Sequence, residues 1–227
     1  MRQVLVFFLA FQIAAATLPE ARSARDKQDR AALEKVVQGL QSAAAAKPND
    51  DAAHYRLALA QSYLAEISLE LRQKNEARNA AVAGIKAAEK AVELKPSVGE
   101  YHRILGTLCG QVVPANVLAG LKYARCAMDS VNKSVELNPK SADAWLSHGV
   151  GNYYLPAQFG GGVPLAIEDI KKAVALDPKS ADAWMWLGVA YRKANNNTEA
   201  RKALEKSLQL NPKRVWTKEL LDKTPQS

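Results

Sequence analysis

Residues able to do chemistry are few in this chain, and they are spaced too widely to act together. The histidines are His54, His102 and His148, separated by 48 and 46 residues. A metal centre built on one local element needs a spacing such as His-x3-His or Cys-x2-Cys, and neither occurs. Paired carboxylates would serve general acid–base work. Glu66 and Glu70 stand one helical turn apart, and Asp143 and Asp182 fall at matching places in two similar phrases. Helix surfaces carry such pairs by default, because positions four apart share a face. Gly160-Gly161-Gly162 precede Val163-Pro164. Amides at a helix start can hold an anion, but no Lys, Ser or Thr follows the run directly. It therefore reads as a tight turn that needs positive φ. No Gly-x-Ser-x-Gly elbow, P-loop or zinc-protease helix is present. The sequence nominates no catalytic residue, no metal ligand and no cofactor, and reads as non-enzymatic.

What the chain does carry is a recurring helix end. Pro48, Pro96, Pro139, Pro178 and Pro212 mark intervals of 48, 43, 39 and 34 residues. Four of them close a common phrase: Ala91-Val-Glu-Leu-Lys-Pro96, Ser134-Val-Glu-Leu-Asn-Pro139, Ala173-Val-Ala-Leu-Asp-Pro178 and Ser207-Leu-Gln-Leu-Asn-Pro212. Proline lacks an amide donor and disfavours helix in the residue before it, so each phrase is an apolar helix brought to a stop. A second phrase follows two of the stops, Ser141-Ala-Asp-Ala-Trp145 and Ser180-Ala-Asp-Ala-Trp184. Within the last unit Trp184, Leu187 and Tyr191 fall at i, i+3 and i+7, one helix face. Gly188 and Ala200 are small enough for two antiparallel helices to meet closely.

The last unit, with Trp184, Leu187, Gly188, Tyr191, Ala200, Leu204 and Pro212 in place, resembles the tetratricopeptide repeat. Ser207 and Leu204 depart from the family's commoner Ala and Phe. The resemblance implies an all-α fold: a right-handed superhelical solenoid of antiparallel helix pairs. The same register gives four units, 51–98, 99–141, 142–180 and 181–214, the first two extended by insertions between their helices. Residues 25–47 read as an unpaired N-terminal packing helix (Val36, Leu40, Ala43) after a linker over 17–24. Residues 215–227 read as a C-terminal capping helix and tail. Arrays of this kind need capped ends, because a terminal unit otherwise exposes an apolar face.

The chain start has a different character. Met1-Arg2-Gln3 is basic, Val4 to Ala16 is apolar, and Ala14-Ala15-Ala16 offers small residues for cleavage. That three-part pattern predicts a signal peptide over 1–16, hence a periplasmic or secreted protein with no stable membrane span after leader cleavage. A net charge of +8 is spread along helix faces without a basic cluster interleaved with aromatics, which argues against nucleic acid. Cys109 and Cys126 fall on the two helices of one unit. They are either a disulfide in an oxidising compartment or a pair of buried thiols.

In the tetratricopeptide family the first helix of each unit lines the concave side. Carried over unit by unit, that resemblance implies a partner-binding groove from Tyr55, Leu59 and Tyr63, then Arg103, then Leu146, Val150, Tyr153 and Tyr154, then Met185, Val189 and Arg192. Its apolar character does not fit the Lys/Asn clamp of members that bind acidic tails. The loop Tyr153–Pro164 and the extended units are also similar to the periplasmic T-component of TRAP-type transporters and to the microtubule-dynamics regulator family. The expected function is a scaffold binding a protein or peptide in the cell envelope. The alternative is an accessory protein for an apolar small ligand or lipid. A competing arrangement is that the N-terminal helices fold into the concavity and use these groups as core.

Overall fold

The structure is a computed structural model describing residues 17–113 and 117–226. The proposed leader lies outside these residues. Eleven α-helices run through the described residues: α1 Leu18–Asp26, α2 Arg30–Ala46, α3 Asp51–Glu70, α4 Lys74–Leu94, α5 Gly99–Val112, α6 Val117–Leu137, α7 Ala142–Tyr154, α8 Val163–Leu176, α9 Ala181–Lys193, α10 Asn197–Leu210 and α11 Val215–Asp222. Pro48, Pro96, Pro139, Pro178 and Pro212 each stand directly after the C-cap of a second helix: α2, α4, α6, α8 or α10. The next helix opens three residues later each time, with Asp50, Ser141 and Ser180 accepting from the backbone amide three residues on, as N-caps do.

Two corrections concern the N-terminus. Residues 17–24 are not a linker. Thr17 and Glu20 form a capping box and Pro19 sits in the first turn, so the stretch starts α1. Nor is 25–47 one unpaired helix. The chain turns at Lys27–Asp29, with Gln28 at φ 54°, and the Asp29 amide donates back to the Ala24 carbonyl at 2.8 Å. The α3–α4 turn repeats this with Arg72 at φ 60°, and the α9–α10 turn with Asn195 at φ 58°. The α1–α2 hairpin is thus a fifth pair with a shortened first helix.

Helices α3 and α4 are 20 and 21 residues long, against 13 and 14 for α9 and α10. The extra residues of the first extended unit are therefore spent on added helical turns. Successive first helices α1, α3, α5, α7 and α9 pack on one another, each also against its own second helix. The first helices make the tight inner layer of a curved array, and α11 covers the last pair.

Close helix approach depends on Gly106, Gly149 and Gly188. A Cβ on Gly188 would stand 2.6 Å from Leu204 Cγ, and one on Gly106 would stand 2.9 Å from the Ala127 carbonyl oxygen. Gly188→Leu is expected to cost at least about 1–3 kcal/mol by overpacking, measured as a lowered urea midpoint. A cost near zero would mean that the seam is not tight.

The histidines find a structural role, His148 by bonding Asp169 of α8 through Nδ1 at 2.7 Å and the other two at helix turns. Trp145 and Trp184 each donate Nε1–H to the carbonyl of the proline six residues earlier, at 2.8 and 3.0 Å. His54 and His102 occupy the same place and bond Pro48 and Pro96 carbonyls through Nε2 at 2.9 and 2.8 Å. A flat ring with an N–H at its edge closes the turn in all four units. Cys109 and Cys126 are joined by a disulfide that ties α5 to α6. Closing a 17-residue separation contributes about 3 kcal/mol in the chain-entropy estimate.

Candidate functional site

The concave face divides into a closed part and an open part. The closed part is a clasp of buried charge that joins the two ends of the array. Arg25, in the last turn of α1, has a side chain 6 % exposed. Its guanidinium donates to both carboxylate oxygens of Asp182 on α9, at 2.9 and 3.2 Å, and to Asp26 at 2.8 Å. It lies 3.8 Å from Glu66 and 4.9 Å from the centre of the Tyr63 ring. Arg214, just before α11, is buried still more completely. It bonds Glu66 at 2.9 Å, both oxygens of Glu70, and the Arg25 carbonyl at 3.3 Å. Gln28 donates to the same Glu70 carboxylate at 2.9 Å, and Asn211 to the second oxygen of Asp26 at 2.8 Å.

Four carboxylates thus surround two guanidiniums, and the excess of acid sets the electrostatics. Burial, and then the neighbouring Glu66 charge, push Glu70 up to about 7 against the opposing pull of Arg214. Burial also acts to raise Asp182, but Arg25 more than offsets it and holds that carboxyl below its ordinary range. Glu66 and Glu70 are a pair of acids, yet both are committed to Arg214 and are not available as an acid–base couple.

The middle of the concave face is crossed by a polar belt. Tyr55 donates to Glu100 at 2.8 Å, and Arg103 grips the same carboxylate through two nitrogens, each at 2.6 Å. Arg103 also reaches Ser147 on α7. It is a structural clamp across α3, α5 and α7 rather than a free basic spot.

The structure does not expose the expected groove as a whole. Leu59, Tyr63, Met185 and Val189 are 8, 7, 1 and 9 % exposed, so they do not line an open groove. Helix α1 packs on α3 over Leu59 and Tyr63, and Arg25 ties it to Asp182 of α9. Tyr55, Leu146, Val150 and Arg192 are half-buried, the last bonding the Lys223 carbonyl at 3.3 Å.

The open part gathers Tyr153 and Tyr154 with two residues that sequence reasoning missed, Trp186 and Trp216. Ring centres are 4.9 Å apart for Tyr153–Tyr154, 6.0 and 6.3 Å from these to Trp186, and 5.7 Å from Trp186 to Trp216, all edge to face. Edge-to-face contact sets the positive ring edge against a negative face. Tyr154 is 59 % exposed. Lys193 Nζ lies 4.2 Å from the centre of the Tyr153 ring and donates to the Tyr153 carbonyl. Trp186 was legible in principle, since it stands four residues after Asp182 and so shares its face.

The glycine run beside this strip is a turn. Gly160 and Gly162 have φ of 87° and 118°, and a Cβ on Gly161 would collide with the Leu155 carbonyl. The three amides donate to Ala157, Pro156 and Asn152 carbonyls, so none is left for an anion.

Two family models match the chain. The Tetratricopeptide repeat model covers residues 157–215, and the Regulator of microtubule dynamics protein 1-3 model covers residues 17–155. Among solved structures the chain is similar to TTC0263, a thermophilic TPR protein of Thermus thermophilus. Identity is 19 % over 88 % of this chain and 98 % of that one, with a TM-score of 0.61, a likeness of fold. PilF of Pseudomonas aeruginosa is 20 % identical over 78 % of this chain and 71 % of that one, with a TM-score of 0.48. No curated protein sequence gives a significant match. With its first unit pairs matched over more than half the chain and its last pairs matched as repeats, this chain belongs to the Regulator of microtubule dynamics protein 1-3 family and is a tetratricopeptide repeat protein.

Proposed function

We propose that the protein is a non-enzymatic scaffold of the cell envelope that holds a protein or peptide partner on the open aromatic strip of its concave face. The fold itself suggests a protein–protein interaction scaffold. The observation that carries the finer reading is the strip: four aromatic rings from α7, α9 and α11 linked by edge contacts through Trp186, partly open to solvent and bordered by Lys193. Rigid aromatics next to cations are the groups that dominate protein interfaces. The apolar chain start and the disulfide support an exported location.

Tyr154→Asp tests this reading. Tyr154 is exposed, whereas Tyr153 also packs on the core of the last two pairs, so the single change leaves the fold intact. Partner occupancy is expected to fall about 10-fold or more, read by quantitative mass spectrometry of the purified complex. Leu176→Asp, at an exposed position on α8, should leave occupancy unchanged. Equal occupancy in wild type and Tyr154→Asp would refute the assignment.

One observation favours the small-ligand alternative. A cavity of about 570 Å³ lies between α1 and α3, lined by Leu18, Arg22, Tyr55, Leu59 and Tyr63 with Lys213 at its edge. Its size suits a small amphipathic molecule.

A further inference from the structure

The clasp contains a seat that its own arginine fills. Two of its walls do not depend on α1. Glu66 is anchored through Oε1 by Arg214, leaving Oε2 directed at Arg25. Asp182 stands in the first turn of α9, whose start is capped by Ser180. Tyr63 supplies a buried ring face. The occupant, by contrast, belongs to the least substantial helix of the inner layer. Helix α1 has nine residues, too few to be stable alone. Its fully packed apolar side chains are only Ala21 and Ala24. Segments with little apolar burial open at lower free energy than the core. With α1 displaced at the Lys27–Asp29 turn, Asp182 and the Oε2 of Glu66 would face the concavity without the Arg25 guanidinium, while Arg214 still holds Glu66 Oε1.

The geometry also states which cation the seat fits. A guanidinium reaches both Asp182 oxygens, at 2.9 and 3.2 Å, while its central carbon lies 4.9 Å from the Tyr63 ring centre. A planar fork makes bidentate and ring contacts together, and an ammonium is a point charge that cannot. We propose that Tyr63, Glu66 and Asp182 form a receptor for an arginine on a partner peptide, with Arg25 of α1 as its resident occupant in the isolated chain. This goes beyond the aromatic strip and uses none of its residues. It rests on the scaffold reading only in placing the partner on the same concave face.

The test uses the full chain and a fluorescently labelled peptide copying residues 17–28, followed by anisotropy. Arg25→Ala vacates the seat, and this variant should bind the peptide at least 10-fold more tightly than wild type. Adding Asp182→Asn, or changing the peptide's arginine at the position of Arg25 to alanine, should remove that gain. If Arg25→Ala lowers helicity, Arg25→Lys replaces it, keeping the charge but losing the fork, and an intermediate affinity is expected. Tyr154→Asp should leave the gain unchanged, which separates this site from the aromatic strip. Equal affinity of wild type and the folded Arg25 variants, or binding indifferent to Asp182, would overturn the proposal.

Discussion

Arg214→Ala is expected to destabilise the protein by about 3–5 kcal/mol at pH 8, the cost of leaving buried carboxylates without their cation. The side chain is 1 % exposed and holds Glu66 and Glu70 of α3 against the start of α11, across 144 residues or more of sequence. Its loss also removes the donor to the Arg25 carbonyl, so the two ends of the array part. The measurement is urea unfolding with the slope compared between variants. A loss below about 1 kcal/mol would mean that the ends are not joined in solution. The cost should shrink toward pH 5, because Glu70 can then take a proton and shed its unpaired charge.

The same cluster gives the second expectation. Glu70→Gln should flatten the fall in stability between pH 5 and pH 7. In the unfolded chain this carboxyl releases its proton near 4.5, whereas in the folded chain it does so near 7. Between those values the folded state binds more protons, so stability falls as pH rises, by at most about 1.4 kcal/mol per pH unit. Asp182, Glu100 and Asp169 act in the opposite sense. Burial works to raise each, but Arg25, Arg103 and His148 respectively bring the net value below the ordinary range. Their contribution is present above that range and is lost on acidification through the folded values. From pH 5 to 7.5 the variant should therefore gain about 2 kcal/mol relative to wild type. Parallel profiles would show that Glu70 is not protonated in the folded state.

Much of the fold was legible because it is written locally. A proline after an apolar turn must end a helix wherever it stands, and the five stops locate the ends of all five second helices. Glycine at 106, 149 and 188 signals close contact for the same reason each time. What could not be read locally is the closure. Arg25 meets Asp182 across 157 residues, and no periodicity links them. Helix α1, packed on α3, puts Leu59 and Tyr63 in one core cluster with Ala21 and Ala24, although both lie on the inner face that the repeat register assigns them. The first pair is hard to see in the sequence because α1 is too short to show a repeated apolar pattern. Its start is nonetheless marked, by Thr17, Pro19 and Glu20 at capping-box spacing. Trp216 joins the aromatic strip through the packing of the terminal cap on α9, a matter of tertiary arrangement. The exported reading rests on the first sixteen residues and the Cys109–Cys126 disulfide, and not on the fold.

The claim that the concave aromatic strip holds a macromolecular partner meets its most direct test in native mass spectrometry. Wild type and Tyr154→Asp would be expressed with their own N-terminus and purified gently from the envelope fraction. The account predicts a polypeptide retained by wild type and lost from Tyr154→Asp. Retention of a small-molecule mass alone, equally in both proteins, would contradict it and direct attention to the cavity between α1 and α3.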